Sequence, residues 1–277
     1  MRGGIFKRYV VGLLAGLLTS VAAVNAAADA PGVSAGGTPE PNVQDAQNPI
    51  ANVISVPFQN NTYLNYGPLR RDANILVIQP VLPIKIDDDW NLITRWVTPI
   101  VSLPRVSAGQ GDKFGLGNME PEFYFSPSHV GELIWGAGGK LWLPTATDKA
   151  LGLDKWGAGP AAVVLTIQGP WVIGVLANNV WAGSGAAKAN QLTINPFINY
   201  NLSDGWYVSS AEVVTANWEI KSGEQWTVPI GGGIGRLFRV GSQPINARFQ
   251  VFDNVVHPQG APNWQLQFQV QFLFSAR

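Results

Sequence analysis

Few residues in this chain could do covalent chemistry. It has 277 residues, two histidines and no cysteine, so thiolate nucleophiles, thiolate metal sites and disulfides are excluded together. Serine catalysis needs a base within hydrogen-bond reach of the nucleophile. Neither His129 nor His257 has a clear Ser and Asp constellation beside it, and two separated histidines make no metal cluster. The reading is therefore non-enzymatic, with no cofactor and no metal. What stands out instead are charged residues placed singly among apolar ones: Arg95, Glu120, Glu122, Lys140, Glu212 and Arg248. These need elements that keep them away from an apolar surround.

The elements are strands. Trp264 to Phe274 reads WQLQFQVQFLF, with Trp264, Leu266, Phe268, Val270, Phe272 and Phe274 alternating with Gln265, Gln267, Gln269 and Gln271. A strand sends alternate side chains to opposite faces, giving one apolar and one amide-lined face over the length of a membrane-crossing strand, about 9 to 11 residues. A soluble sandwich alternates in the same way. From Ile50 on, about twelve such segments follow: 52–66, 73–86, 91–103, 116–126, 133–144, 158–168, 171–182, 191–202, 206–218, 226–237, 245–255 and 264–274.

Two features favour a barrel in a membrane. Tight connectors (Asp87 to Asp89, Gln168 to Pro170, Ser203 to Gly205, Arg239 to Gln243) alternate with longer glycine-rich ones (Arg105 to Gly115, Thr145 to Gly157, Gly183 to Asn190, His257 to Asn263). Outer-membrane barrels sort their connections in this way, with the short ends in the periplasm. Trp90, Trp135, Trp171 and Trp206 fall near the short connectors, and Trp181, Trp218, Trp226 and Trp264 near the long ones. Indoles gather at both membrane interfaces because the ring prefers the apolar side and its N–H the wet side.

The expected fold is all-β: a transmembrane antiparallel up-and-down β-barrel of about 12 strands after a cleaved signal peptide. Residues 1–28 carry Arg2, Lys7 and Arg8 ahead of an apolar run and small-residue cleavage sites, and read as that signal. Residues 29–49 are small and polar and read as a flexible leader. Residues 50–277 form the barrel. Charged residues are 13% of the chain and Lys+Arg balance Asp+Glu, which argues against a nucleic-acid partner. The partners expected are outer-membrane lipid, small-molecule solutes and the periplasmic and outer-membrane assembly machinery. The expected localisation is the cell outer membrane.

Parity assigns the interior. A charge facing lipid at mid-depth costs about 2 to 4 kcal/mol for Arg or Lys, so Arg95, Glu120, Glu122, Tyr124, Lys140, Glu212 and Arg248 are placed on the lumen. Asp148, Lys149, Asp154, Lys155 and Trp156 lie in the loop Thr145 to Gly157, a candidate gate whose alternative is an ordinary surface loop. Gly231-Gly232-Gly233 and Gly235 fit a bend at a barrel corner.

Several stretches resemble a known family: Ser55-Val56-Pro57-Phe58-Gln59-Asn60-Asn61, Trp90-Asn91-Leu92-Ile93-Thr94-Arg95, Phe114-Gly115-Leu116-Gly117-Asn118, Leu143-Pro144-Thr145-Ala146-Thr147-Asp148 with Lys155 to Pro160, and Glu224 to Pro229. Over roughly Asn48 to Phe274 the chain is similar to the outer-membrane barrels grouped as the "MetA-pathway of phenol degradation" family, also labelled transporter or neuromedin U. The resemblance implies a Gram-negative barrel that moves small, aromatic or hydrophobic, molecules. It brings no catalytic or binding residue with it. Barrels of this kind often end on an aromatic residue that the assembly machinery recognises, whereas here Ser275-Ala276-Arg277 follow Phe274. A structural or adhesive barrel without transport is the alternative.

Overall fold

The computed structural model describes residues 40–275 apart from 108, 110, 130, 185 and 186. The expected signal peptide lies outside the described residues. The chain forms one antiparallel sheet closed on itself. Its strands are β1 (Val53–Tyr66), β2 (Arg71–Ile78), β3 (Val81–Lys85), β4 (Trp90–Leu103), β5 (Lys113–Leu116), β6 (Glu120–Pro127), β7 (Leu133–Trp142) and β8 (Gly157–Gln168). They continue as β9 (Trp171–Ser184), β10 (Ala187–Asn201), β11 (Trp206–Ser210), β12 (Val214–Asn217), β13 (Trp226–Val240), β14 (Gln243–Val256) and β15 (Trp264–Ser275).

These fifteen strands make twelve staves, because β2 with β3, β5 with β6, and β11 with β12 each share one position in the ring. The sequence pattern runs through all three breaks without showing them. At the first, Pro80 has no N–H to give the ladder, although its carbonyl still accepts from Trp96 N at 3.0 Å. The ring closes where β1 meets β15 antiparallel, from Val53↔Ser275 to Leu64↔Trp264. Closure leaves no strand edge unpaired, the condition for irregularity-free backbone in lipid.

Side chains alternate as the pattern predicts. On β15, Gln267, Gln269, Gln271 and Leu273 are buried inside while Trp264 and Phe274 are exposed outside. Exposed apolar residues on neighbouring strands, such as Ile173, Ile198, Val208, Ile234 and Phe249, complete an outer apolar surface. At the short-turn end Trp90 packs edge-on against Trp135, Trp171 against Tyr200, and Arg236 lies over Trp206. At the long-loop end Trp218 packs against Trp226. On β13, Gly235 makes room for the Tyr207 ring: a Cβ there would lie 2.2 Å from Tyr207 Cζ.

The end of the stretch expected as a flexible leader is structured. Asn42 caps a short helix α1 (Val43–Gln47), its Oδ1 accepting from Gln44 N and Asp45 N while Asp45 accepts from Asn42 N. Ile50, just beyond, is buried with Ile93, Tyr124, Ile134, Leu165, Val172 and Phe197 from six different strands. That apolar plug fills the short-turn end of the barrel interior. Burying one isoleucine there contributes about 1.5 to 3 kcal/mol. Composition alone missed this because α1 gains its order from the barrel it meets.

Candidate functional site

The lumen holds a cavity of about 510 Å³. Its floor is formed by α1 and the residues after it, from Asp45 to Pro49 with Ala51. Three contacts tie this segment to the short turns: Gln44 Nε2 donates to Gly169 O at 3.0 Å, Gln47 Nε2 donates to Asn201 Oδ1 at 2.8 Å, and Arg239 pairs with Glu40.

One wall carries a compact ion cluster. Arg95 on β4 lies directly across from Glu122 on β6, which lies directly across from Lys140 on β7. The pleat therefore presents all three to the lumen side by side. Arg95 NH1 sits 3.2 Å from Glu122, and Lys140 Nζ 2.7 Å from Glu120 and 3.1 Å from Glu122. Tyr124 donates its hydroxyl to Glu122 at 2.9 Å, and Gln79 accepts from Arg95 at 2.5 Å. Glu122 is only 2% exposed, and its carboxylate is matched by two cations and a hydroxyl. Such pairing offsets the large desolvation cost of a buried charge. Gln79 belongs to this cluster and was not singled out from the sequence; it lies in the β2–β3 break but keeps the facing of Ile75, Val77 and Val81, which also line the cavity.

Arg248 stands apart, on β14. Its guanidinium donates to Gln267 Oε1 at 3.3 Å and Gln269 Oε1 at 3.2 Å. It lines the same cavity.

Glu212 is placed differently from the lumen expectation. It lies in the break between β11 and β12, where Ala211 and Val213 line the cavity and Glu212 does not. Its carboxylate lies 2.8 Å from Ser210 Oγ, whose single hydroxyl hydrogen is shared between it and Gly231 O. Tyr207, Ala211, Val213 and Thr215 line the cavity on the opposite parity, so the expectation that every strand charge avoids the outer face, not the alternation, put Glu212 inside.

The loop Thr145 to Gly157 contributes nothing to the cavity lining. It is fastened to the β5–β6 break instead. Thr145 Oγ1 accepts from Met119 N and donates to Gly117 O, Thr147 Oγ1 accepts from Leu116 N, and Asn118 Nδ2 donates to Leu153 O. Leu151 is buried beneath it. Asp148 pairs with Lys113; that ammonium and the Ala150 N–H hold its carboxyl below the usual range. Lys149, Asp154, Lys155 and Trp156 are exposed. The geometry is that of an anchored outer loop.

The histidines lie at opposite ends. His129 is 3.9 Å from Asp89 beside a short turn, and His257 contacts Pro258 O and Asn263 in an outer loop. Among the described residues no cluster of His, Cys, Asp and Glu could hold a metal ion, and no helix is long and apolar enough to cross a membrane.

The architecture has a solved counterpart. The crystal structure of the COG4313 outer membrane channel from Pseudomonas putida F1 matches with a TM-score of 0.59 at 15% identity, over 80% of this chain and 94% of that one. Outer membrane phospholipase A from Escherichia coli follows with a TM-score of 0.41 at 12% identity, over 86% of this chain and 100% of that one. No family model matches the sequence, and no curated protein does. With its apolar exterior, two aromatic belts and closed ladder, the chain is a transmembrane β-barrel of the outer membrane.

Proposed function

We propose that the barrel is a passive channel for small solutes, aromatic and hydrophobic ones among them. The observation that carries this reading is the cavity of about 510 Å³ inside the wall, lined by polar and apolar side chains alike. Barrels of about eight strands fill their interior with side chains and those of about 16 to 18 leave an open aqueous channel; a barrel of twelve staves falls between. The family resemblance supports the choice of solute. On this reading the chain is not an enzyme, and its alternating last strand is the part offered to the assembly machinery.

The structural-barrel alternative draws on α1, which closes the short-turn end. Solute flux separates the two. The full chain in liposomes is expected to pass phenol-sized neutral solutes, and to pass them faster when Gln44 and Gln47 are changed to Ala and α1 is released. No flux from either protein would favour the structural barrel.

A further inference from the structure

The ion cluster around Glu122 balances itself: Arg95 and Lys140 face Glu120 and Glu122. Arg248, on the far side of the ring, has no carboxylate within ion-pair distance among the described residues, and its Nε is buried without any hydrogen-bond partner. The one other charge on the cavity, Asp45 on α1, accepts from the Asn42 N–H at the helix cap and makes no ion pair with Arg248.

The amides around Arg248 are themselves tied in place. Gln267 spends its NH₂ group on Asn61 Oδ1, at 3.2 Å, leaving its carbonyl oxygen for the guanidinium. Gln269 likewise donates to Gln271 Oε1 at 3.4 Å, and Asn246 Nδ2 donates to the same oxygen at 3.1 Å. Tyr207 completes the row by donating to Asn246 Oδ1 at 2.8 Å. These neutral acceptors orient the guanidinium fork without neutralising it. A guanidinium so held still lacks a counter-charge; its NH2 is given to the two glutamines, and its NH1 group, with no hydrogen bond among the described residues, is the donor left for a charge-assisted contact with a carboxylate.

We infer that Arg248 and its amide row form a binding subsite in the lumen for the head group of an organic monocarboxylate. This rests on the channel reading and narrows its solutes. One cation without an ion-pair partner favours one negative charge, since a second would meet Glu120, Glu122 and Asp45, which line the same cavity. Val77, Val97, Pro99, Leu176 and Phe197 also face the cavity and supply contact for an apolar body.

The test uses the full-length barrel in detergent and in liposomes, with benzoate and its neutral isostere benzamide as probes. Calorimetric titration should show saturable benzoate binding that weakens about 10- to 100-fold in Arg248→Gln, the loss of one charge-assisted contact. Gln269→Glu sets a carboxylate beside Arg248 and should abolish binding even where Arg248→Gln fails to fold. In liposomes the ratio of benzoate to benzamide flux should fall about tenfold in either variant. Equal benzoate affinity in wild type and both variants, or none in wild type, overturns the subsite. Arg248-dependent binding without any flux would retire the channel and keep the subsite. Flux with Arg248-independent binding would do the reverse.

Discussion

At the scale of residues the lumen sets up a graded response to neutralisation. Glu122 is bonded by Arg95, Lys140 and Tyr124, whereas Glu120 meets Lys140 alone. Glu122→Gln removes one partner from buried Lys140 and the only ion-pair partner of half-buried Arg95 among the described residues, and should cost up to about 3 to 5 kcal/mol; Glu120→Gln should cost less. Urea unfolding in detergent, followed by the loss of heat-modifiable migration, measures both, and equal costs would contradict the geometry. Changing both to Gln leaves three basic groups on the cavity and should move the reversal potential toward anion selectivity in a planar bilayer. The Arg95, Glu122 and Lys140 row was legible in the sequence because it sits on uninterrupted strands, where period two fixes the face. Gln79 shares the facing of Ile75, Val77 and Val81 on the cavity but, as a neutral amide, did not stand out beside the charges; Glu212 was misplaced because a charge was expected to avoid the outer face, whereas it sits on the parity opposite Ala211 and Val213.

At the scale of elements, β15 separates lipid from lumen most cleanly. Phe268→Arg puts a charge on the outer face and should block assembly, at about 2 to 4 kcal/mol if near mid-membrane. Gln265→Arg, on the lumen parity and clear of Arg248, should assemble; Gln269 is a poorer control because it touches Arg248. Similar yields of both folded variants would mean the faces are misassigned. The outer loop carries a pH prediction. Because Asp148 titrates below its unfolded value, its pairing with Lys113 stabilises the loop above the ordinary carboxylate pKa, near 3.8. That contribution is lost as pH falls through the lower folded value. Hydrogen exchange at the Leu116 and Ala150 amides should show an added acid-dependent loosening that Asp148→Asn removes. Strand count and most of the loop sorting were readable from turn residues and tryptophan spacing; Gly183 to Asn190, expected as a long connector, is instead mostly strand, with β9 running to Ser184 and β10 starting at Ala187. The α1 floor was not, although Asn42 and Asp45 carry a capping pattern at the right spacing, because five residues without an apolar face do not read as a helix.

At the scale of the whole molecule, the barrel is expected to stay with the outer-membrane fraction through salt and carbonate extraction and to migrate faster unheated than heated in mild detergent. Release as a soluble periplasmic monomer would be incompatible with the exterior described above. The seam between β1 and β15 has a further consequence. Twelve matched positions bring Val53 beside Ser275, so topologically the wall has no first or last strand, and the covalent break falls at one arbitrary joint of a circle. New ends could be cut at the Gly169 turn and the old ones joined by a short linker, and such a permuted chain should regain the same pore. Conversely, a chain without β15 (Trp264–Ser275) holds an incomplete arc, so stop codons within that strand should abolish the product rather than yield a slightly smaller barrel.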